Sequence, residues 1–175
     1  MRFPALILAL TGAMFLTGCS NLVSLNPFAT DKDSTFDPAL TGVWHDSDDD
    51  TYIVKRSGDH YGITYIDKSE DVMKFEAWLF ETGDATLLDL VSKKDAPFHV
   101  PAHTPLRVWI DGATLKFAFL DSDWLRQQVA QELTAQTIDG RVVLTAPNVS
   151  ARAFLAKHGA DTRAYGEIAT LQKQQ

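Results

Sequence analysis

Three acids at alternate positions, Asp46, Asp48 and Asp50, lie in the densest acidic run of the chain. That spacing is the one with which a calcium loop presents its first ligands, but such a loop also needs a glycine at its sixth position and a bidentate acid at its twelfth. Counting from Asp46, those places hold Thr51 and Ser57, so the pattern fails. An irregular cation site that adds His45 or Asp49 is the remaining metal reading. The plain alternative is a solvated turn whose Asp and Ser side chains satisfy their own backbone.

His99 and His103 are spaced as a zinc or copper pair on one helical face would be. Pro101 between them and Pro105 beyond forbid that helix, so only a loop drawing in His60 or an acid could gather them as ligands. The chain carries no Gly-x-Ser-x-Gly elbow, His-Glu-x-x-His helix, phosphate-cradling glycine loop or dinucleotide fingerprint. No cofactor is expected. A hydrolase of envelope material would need a cleft where histidines and carboxylates converge, and the sequence displays no such constellation.

The elements that must position these residues are mostly strands. Tyr52, Val54 and Arg56 alternate with Ile53 and Lys55, and Ser57-Gly58-Asp59 turns the chain into Tyr61 to Tyr65, a hairpin signal. Val72 to Glu81 sets Met73, Phe75, Ala77 and Leu79 against Lys74, Glu76, Trp78 and Phe80, and Gly83-Asp84 leads into Thr86 to Val91. After a polar, proline-bearing loop, Ser92 to Pro105, the strands Leu106 to Ile110 and Thr114 to Leu120 flank the tight turn pair Asp111-Gly112.

Leu125, Val129 and Leu133 then recur every four residues, which predicts an amphipathic helix over 122–133 capped by Ser122. A further strand pair is expected around Ala135 to Ile138 and Val142 to Thr145. A second helix is expected from Ser150 to His158, with Ser150 as cap, Val149 and Phe154 at staple spacing and Gly159 as terminator. The fold class is mainly β with helices: an antiparallel meander closing into a barrel or half barrel, with two helices in the C-terminal half.

The N-terminal segment reads differently. Arg2 precedes an apolar stretch, Ala5 to Leu16, too short to span a bilayer, which needs roughly 20 residues. It ends in Leu16-Thr17-Gly18-Cys19, which resembles the lipobox of bacterial lipoproteins. The resemblance implies that residues 1–18 are a cleaved signal peptide and that Cys19 is lipidated. With Ser20 and not Asp after the cysteine, it implies the outer membrane of a two-membrane cell, facing the periplasm. Residues 19–40 are then expected as a lipidated tether and 41–175 as a single domain. Cys19 is the chain's one cysteine, so the core must stabilise an exported protein without disulfides.

Gly42-Val43-Trp44, at the start of the first strand, resembles the Gly-x-Trp that opens lipocalin-type (calycin) barrels. In that family the tryptophan plugs one end and a helix packs on the outer wall. The resemblance implies a small apolar ligand, with Trp44, Tyr61, Tyr65 and Phe75 as candidate lining residues. The inward phenylalanines Phe75, Phe117 and Phe119 argue for a largely filled interior. On the opposite face Trp78, Phe80 and Trp109 need a cover, for which the helix bearing Trp124 and Leu125 is available; uncovered, they would be a docking patch.

The formal charge is −7, and loss of residues 1–18 would remove Arg2 and no acid. Such a chain is repelled by nucleic acid. The leading expectation is a non-enzymatic, membrane-anchored lipoprotein of the bacterial envelope that binds a small apolar ligand or an envelope partner. The alternative is an accessory lipoprotein that acts only by docking, through Trp78, Phe80, Trp109 or the acidic 45–50 run.

Overall fold

The computed structural model describes residues 22–93, 100–138 and 141–174; residues 1–18, Cys19 and His99 lie outside them. The strands are β1 (Leu22–Ser24), β2 (Gly42–His45), β3 (Thr51–Ser57), β4 (His60–Ile66), β5 (Val72–Thr82), β6 (Ala85–Ser92), β7 (His103–Asp111), β8 (Thr114–Phe119), β9 (Ala135–Ile138), β10 (Arg141–Leu144) and β11 (Ala169–Lys173). The helices are α1 (Ser122–Glu132) and α2 (Asn148–His158).

Strands β6, β5, β4, β3, β2, β11, β8 and β7 are neighbours in that order, and β6 also pairs with β7. Eight antiparallel strands therefore close on themselves, which leaves the barrel wall without a free edge. The expected meander is present, and it closes fully. Strand β11 completes it by pairing with β2 on one side and β8 on the other. Beyond β7, the strands β1, β10 and β9 extend the sheet as a flap in which β1 runs parallel to β10.

Alternation along each strand divides the apolar residues into two cores, one on either side of the wall. Leu79, Leu88, Leu106, Val108, Leu115 and Leu171 fill the barrel with Trp44, Val54 and Tyr61. Phe80, Leu87 and Ala118 point outward from the same strands and pack with Leu22, Phe28, Leu125, Val129, Phe154 and Leu155. Both helices therefore cover the outer wall. Trp78, Trp109 and Trp124 join this second core as half-buried neighbours.

The helix boundaries hold, while their caps differ from expectation. Asp121, one residue earlier than Ser122, caps α1: its carboxylate accepts from the N–H groups of Asp123 and Trp124, at 3.0 and 2.8 Å. Helix α2 begins after Pro147 without a side-chain cap, and Val149 is 74% exposed, so it staples nothing. Its buried residues Ala151, Phe154 and Leu155 hold it instead. Gly159 follows in right-handed geometry, and a Cβ there would fall 2.5 Å from the Leu155 carbonyl oxygen, so the end of the helix requires glycine.

Residues 22–40, expected as a loose tether, are a strap on the barrel. Leu22, Phe28 and Leu40 are almost fully buried, and the Thr35 N–H donates to the Leu79 carbonyl at 2.8 Å. One buried carboxylate pins the strap: Asp89 Oδ2, on the outer face of β6, accepts from the N–H groups of Phe28 (2.9 Å) and Ala29 (3.2 Å). A polar stretch with scattered apolar residues looks like a linker until the surface that buries those residues is known. The strap ends in a single 3₁₀ turn, Pro38–Leu40, capped by Asp37, and then enters β2.

Candidate functional site

Strand directions place the turns 46–50 and 67–71 at one end of the barrel and the Pro38–Leu40 turn at the other. The second end is plugged. Trp44 and Tyr61 are both 0% exposed; the indole N–H donates to the Leu40 carbonyl at 2.9 Å. The Tyr61 hydroxyl accepts from the Asp37 N–H at 2.7 Å and donates to the Asp37 carbonyl at 3.1 Å, while its ring stacks on Phe36 at 5.1 Å. Lys173 enters from β11, lies 5.0 Å over the Trp44 ring and donates to the Ala39 carbonyl at 3.1 Å. The backbone at Gly42 has φ +144°, which requires glycine, and a Cβ there would also displace the end of the Lys173 side chain, 2.6 Å away.

The opposite end is a mouth lined by half-buried aromatic rings. Tyr52 and Tyr65 are cross-strand partners with centroids 5.0 Å apart; Tyr52 meets the edge of Phe117 at 6.0 Å, which in turn meets Phe119 at 6.0 Å. Phe75 shares their inward side, opposite Ile63 on β4. Each phenol is tied to an acid of the 46–50 turn. Tyr65 donates to Asp50 Oδ2 at 2.5 Å and Tyr52 to Asp46 Oδ2 at 3.3 Å. Burial, with the neighbouring carboxylates adding to it, pushes both phenols well above the ordinary range, so they stay protonated and donate.

The acidic run itself is a turn. Asp46 Oδ1 accepts from the N–H groups of Asp48 and Asp50, at 2.9 and 3.0 Å, and Asp49 takes the left-handed conformation that Asp tolerates. Asp50 Oδ1 accepts from the Lys68 N–H at 3.0 Å, which ties this turn to the neighbouring one. Asp48 is exposed at the tip. Among the described residues, no three His, Cys, Asp or Glu side chains are placed to share a metal ion.

The remaining candidates are held in packing. His103 reaches Asp89: its Nδ1 lies 2.9 Å from Oδ2, so this histidine joins the latch on the strap. Phe80 is 0% exposed. Trp78 stacks on His60 at 4.7 Å and donates to Asp31 of the strap at 3.1 Å; Trp109 sits between Arg107 at 4.8 Å and Tyr165 at 6.2 Å. Phe80 is thus covered, while Trp78 and Trp109 are half-buried beside the outer core. A depression of about 440 Å³ lies at the plugged end against β2 and β3, where Phe36, Val43 and Ile53 meet Lys55 and Arg56.

Of the four lining residues expected from sequence, the structure brings Tyr65 and Phe75 to the mouth and Trp44 and Tyr61 to the plug. Sequence reasoning missed Tyr52 as a mouth residue. A signal was present: Tyr52 and Tyr65 are equidistant from the Gly58 turn, which makes them a cross-strand pair in a tight hairpin. No protein-family model, curated protein or solved structure matches this chain.

Proposed function

We propose that this protein is a lipid-anchored bacterial envelope lipoprotein of lipocalin-like type that binds a small, mainly apolar ligand at the open mouth of its barrel. The observation that carries the reading is the pairing of aromatic rings with phenol and carboxylate groups there. Tyr52, Tyr65, Phe75, Phe117 and Phe119 offer π faces and edges to an apolar body. Asp46 and Asp50 offer acceptors to one donating group on the ligand, since each carboxylate can accept a further hydrogen bond beside its phenol.

With its interior filled and its far end plugged, the barrel offers a ligand its rim and not a channel. Its acid-rich rim disfavours anionic ligands by charge. The anchor reading is supported by Leu16-Thr17-Gly18-Cys19, and with it the domain works outside the cytoplasm, on the periplasmic face of the outer membrane where the host has two membranes.

Two experiments test the two parts. The neutral probe N-phenyl-1-naphthylamine should gain fluorescence saturably with the protein, and Phe117→Asp should abolish the gain while far-UV circular dichroism is kept. Uptake unchanged by Phe117→Asp rules out the mouth. In cells, Cys19→Ala should leave an unlipidated precursor; acyl label still incorporated into that variant would refute the lipobox assignment.

A further inference from the structure

We infer that the β9–β10 side of the flap is the surface that rests on the lipid bilayer, so that the barrel is held with β7 toward the membrane and β3 away from it. This deepens the anchor reading and rests on it. The decisive quantity is the length of chain between Cys19 and the first packed residue. Leu22 is 0% exposed and paired with Val142, so its position is fixed by the domain. Three residues fully extended span at most about 11 Å. A lipidated Cys19 therefore cannot hold the domain off the membrane.

Register says which surface meets the bilayer. Leu22 pairs with Val142 in parallel, so the N-terminal end of β1 lies level with the Arg141 end of β10, where the antiparallel partner of Arg141 is Ile138. Ile138 is 51% exposed. Among the described residues β9 is the last strand of the sheet, and its sequence, Ala135-Gln136-Thr137-Ile138, carries no charge. Edge strands in water are ordinarily guarded by charge, proline or a cover. An uncharged edge with an exposed isoleucine suits the polar-to-apolar boundary of a bilayer.

The far side of the molecule agrees. In a ring of eight strands β3 stands opposite β7, four places away in either direction. The acidic turns 46–50 and 67–71 join β2 to β3 and β4 to β5, so they lie across the barrel from the flap. Anionic headgroups would repel those turns, and this placement keeps them away.

The test uses the full-length lipidated protein in vesicles of three parts phosphatidylethanolamine to one part phosphatidylglycerol. A single cysteine is introduced by Ile138→Cys or, on the opposite wall, by Lys55→Cys, and each is labelled with a nitrobenzoxadiazole dye; both positions are exposed, so folding is preserved. Cys19 is blocked once acylated, which leaves the new thiol as the one that reacts. The dye at 138 should brighten several-fold with vesicles and be quenched by brominated lipid, while the dye at 55 should do neither.

Equal responses at the two sites, or a wet signal at 138 in protein whose intact mass shows the acyl chains, would overturn the orientation and leave the anchor standing. An intact mass without acyl chains would remove both. Brightening at 138 that grows with protein concentration in the absence of vesicles would assign the edge to a second copy of the chain and overturn the membrane contact.

Discussion

The two ends of the barrel are built from the same kinds of residue and put to opposite uses. At the plugged end Trp44 and Tyr61 spend their polar atoms on backbone groups of the chain that crosses the opening, the Leu40 carbonyl and both polar groups of Asp37. At the mouth Tyr52 and Tyr65 spend theirs on side-chain carboxylates in a solvent-facing turn. The buried Leu40 carbonyl cannot be hydrated in compensation, so breaking its bond leaves an orphaned group. A carboxylate on a surface turn can turn to water or to a ligand. An aromatic residue with a polar tip is structural or functional according to what its tip is bonded to.

The comparison can be broken most forcefully at the plug. Trp44→Ala should lower the unfolding free energy by about 3 to 5 kcal/mol, because it empties the centre of a packed end and orphans the Leu40 carbonyl. Urea denaturation measures it. A loss under about 1 kcal/mol would mean that the plug is not a core at all.

High pH probes both ends together. All four tyrosines have raised pKa values, chiefly through burial, Tyr165 up to about 12. Above the ordinary phenol value of about 10 the unfolded chain releases protons that the native state keeps, so the native state binds more protons. Stability is therefore constant below that pH with respect to these groups and falls as pH rises through and beyond it, by about 1.4 kcal/mol per pH unit for each phenol so held. Phenolate absorbance near 295 nm should appear together with loss of far-UV signal. Early phenolate in the folded protein would identify a mouth that admits hydroxide.

Smaller substitutions sharpen the contrast. Tyr61→Phe should cost about 1 to 2 kcal/mol, since two hydrogen bonds to the part-buried backbone of Asp37 are lost together. Tyr65→Phe should cost under about 1 kcal/mol, because Asp50 keeps the Lys68 N–H and gains water. The same variant should change the affinity for the apolar probe, whereas Tyr61→Phe should leave it unaltered. Equal stability costs, or a probe effect at Tyr61 alone, would reverse the assignment of the two ends.

Most of the wall was legible because its signals are local. The Gly58, Gly83 and Gly112 turns and the alternation of Phe75, Ala77 and Leu79 are statements about neighbours along the chain, and the strands fall where they indicate. The mouth was half legible, since Tyr65 and Phe75 could be assigned an inward side from alternation while their distance from the plug could not. β11 gave no warning: Ala169 to Lys173 is five residues with little apolar content, and its partners β2 and β8 lie far away in sequence.

Periodicity and turn chemistry in the sequence thus determined an antiparallel meander with two late helices, the failure of the calcium spacing and the inward side of the strands with clear alternation, such as Phe75, Ala77 and Leu79 on β5. Only the tertiary structure decided that the meander closes through β6 with β7 and β11 with β2, because closure is a pairing between segments whose local preferences are satisfied either way. It also decided that residues 22–40 are a strap and not a spacer. Scattered apolar residues have no period to read, and what fixes them is the outer wall and the one buried carboxylate of Asp89 that meets them.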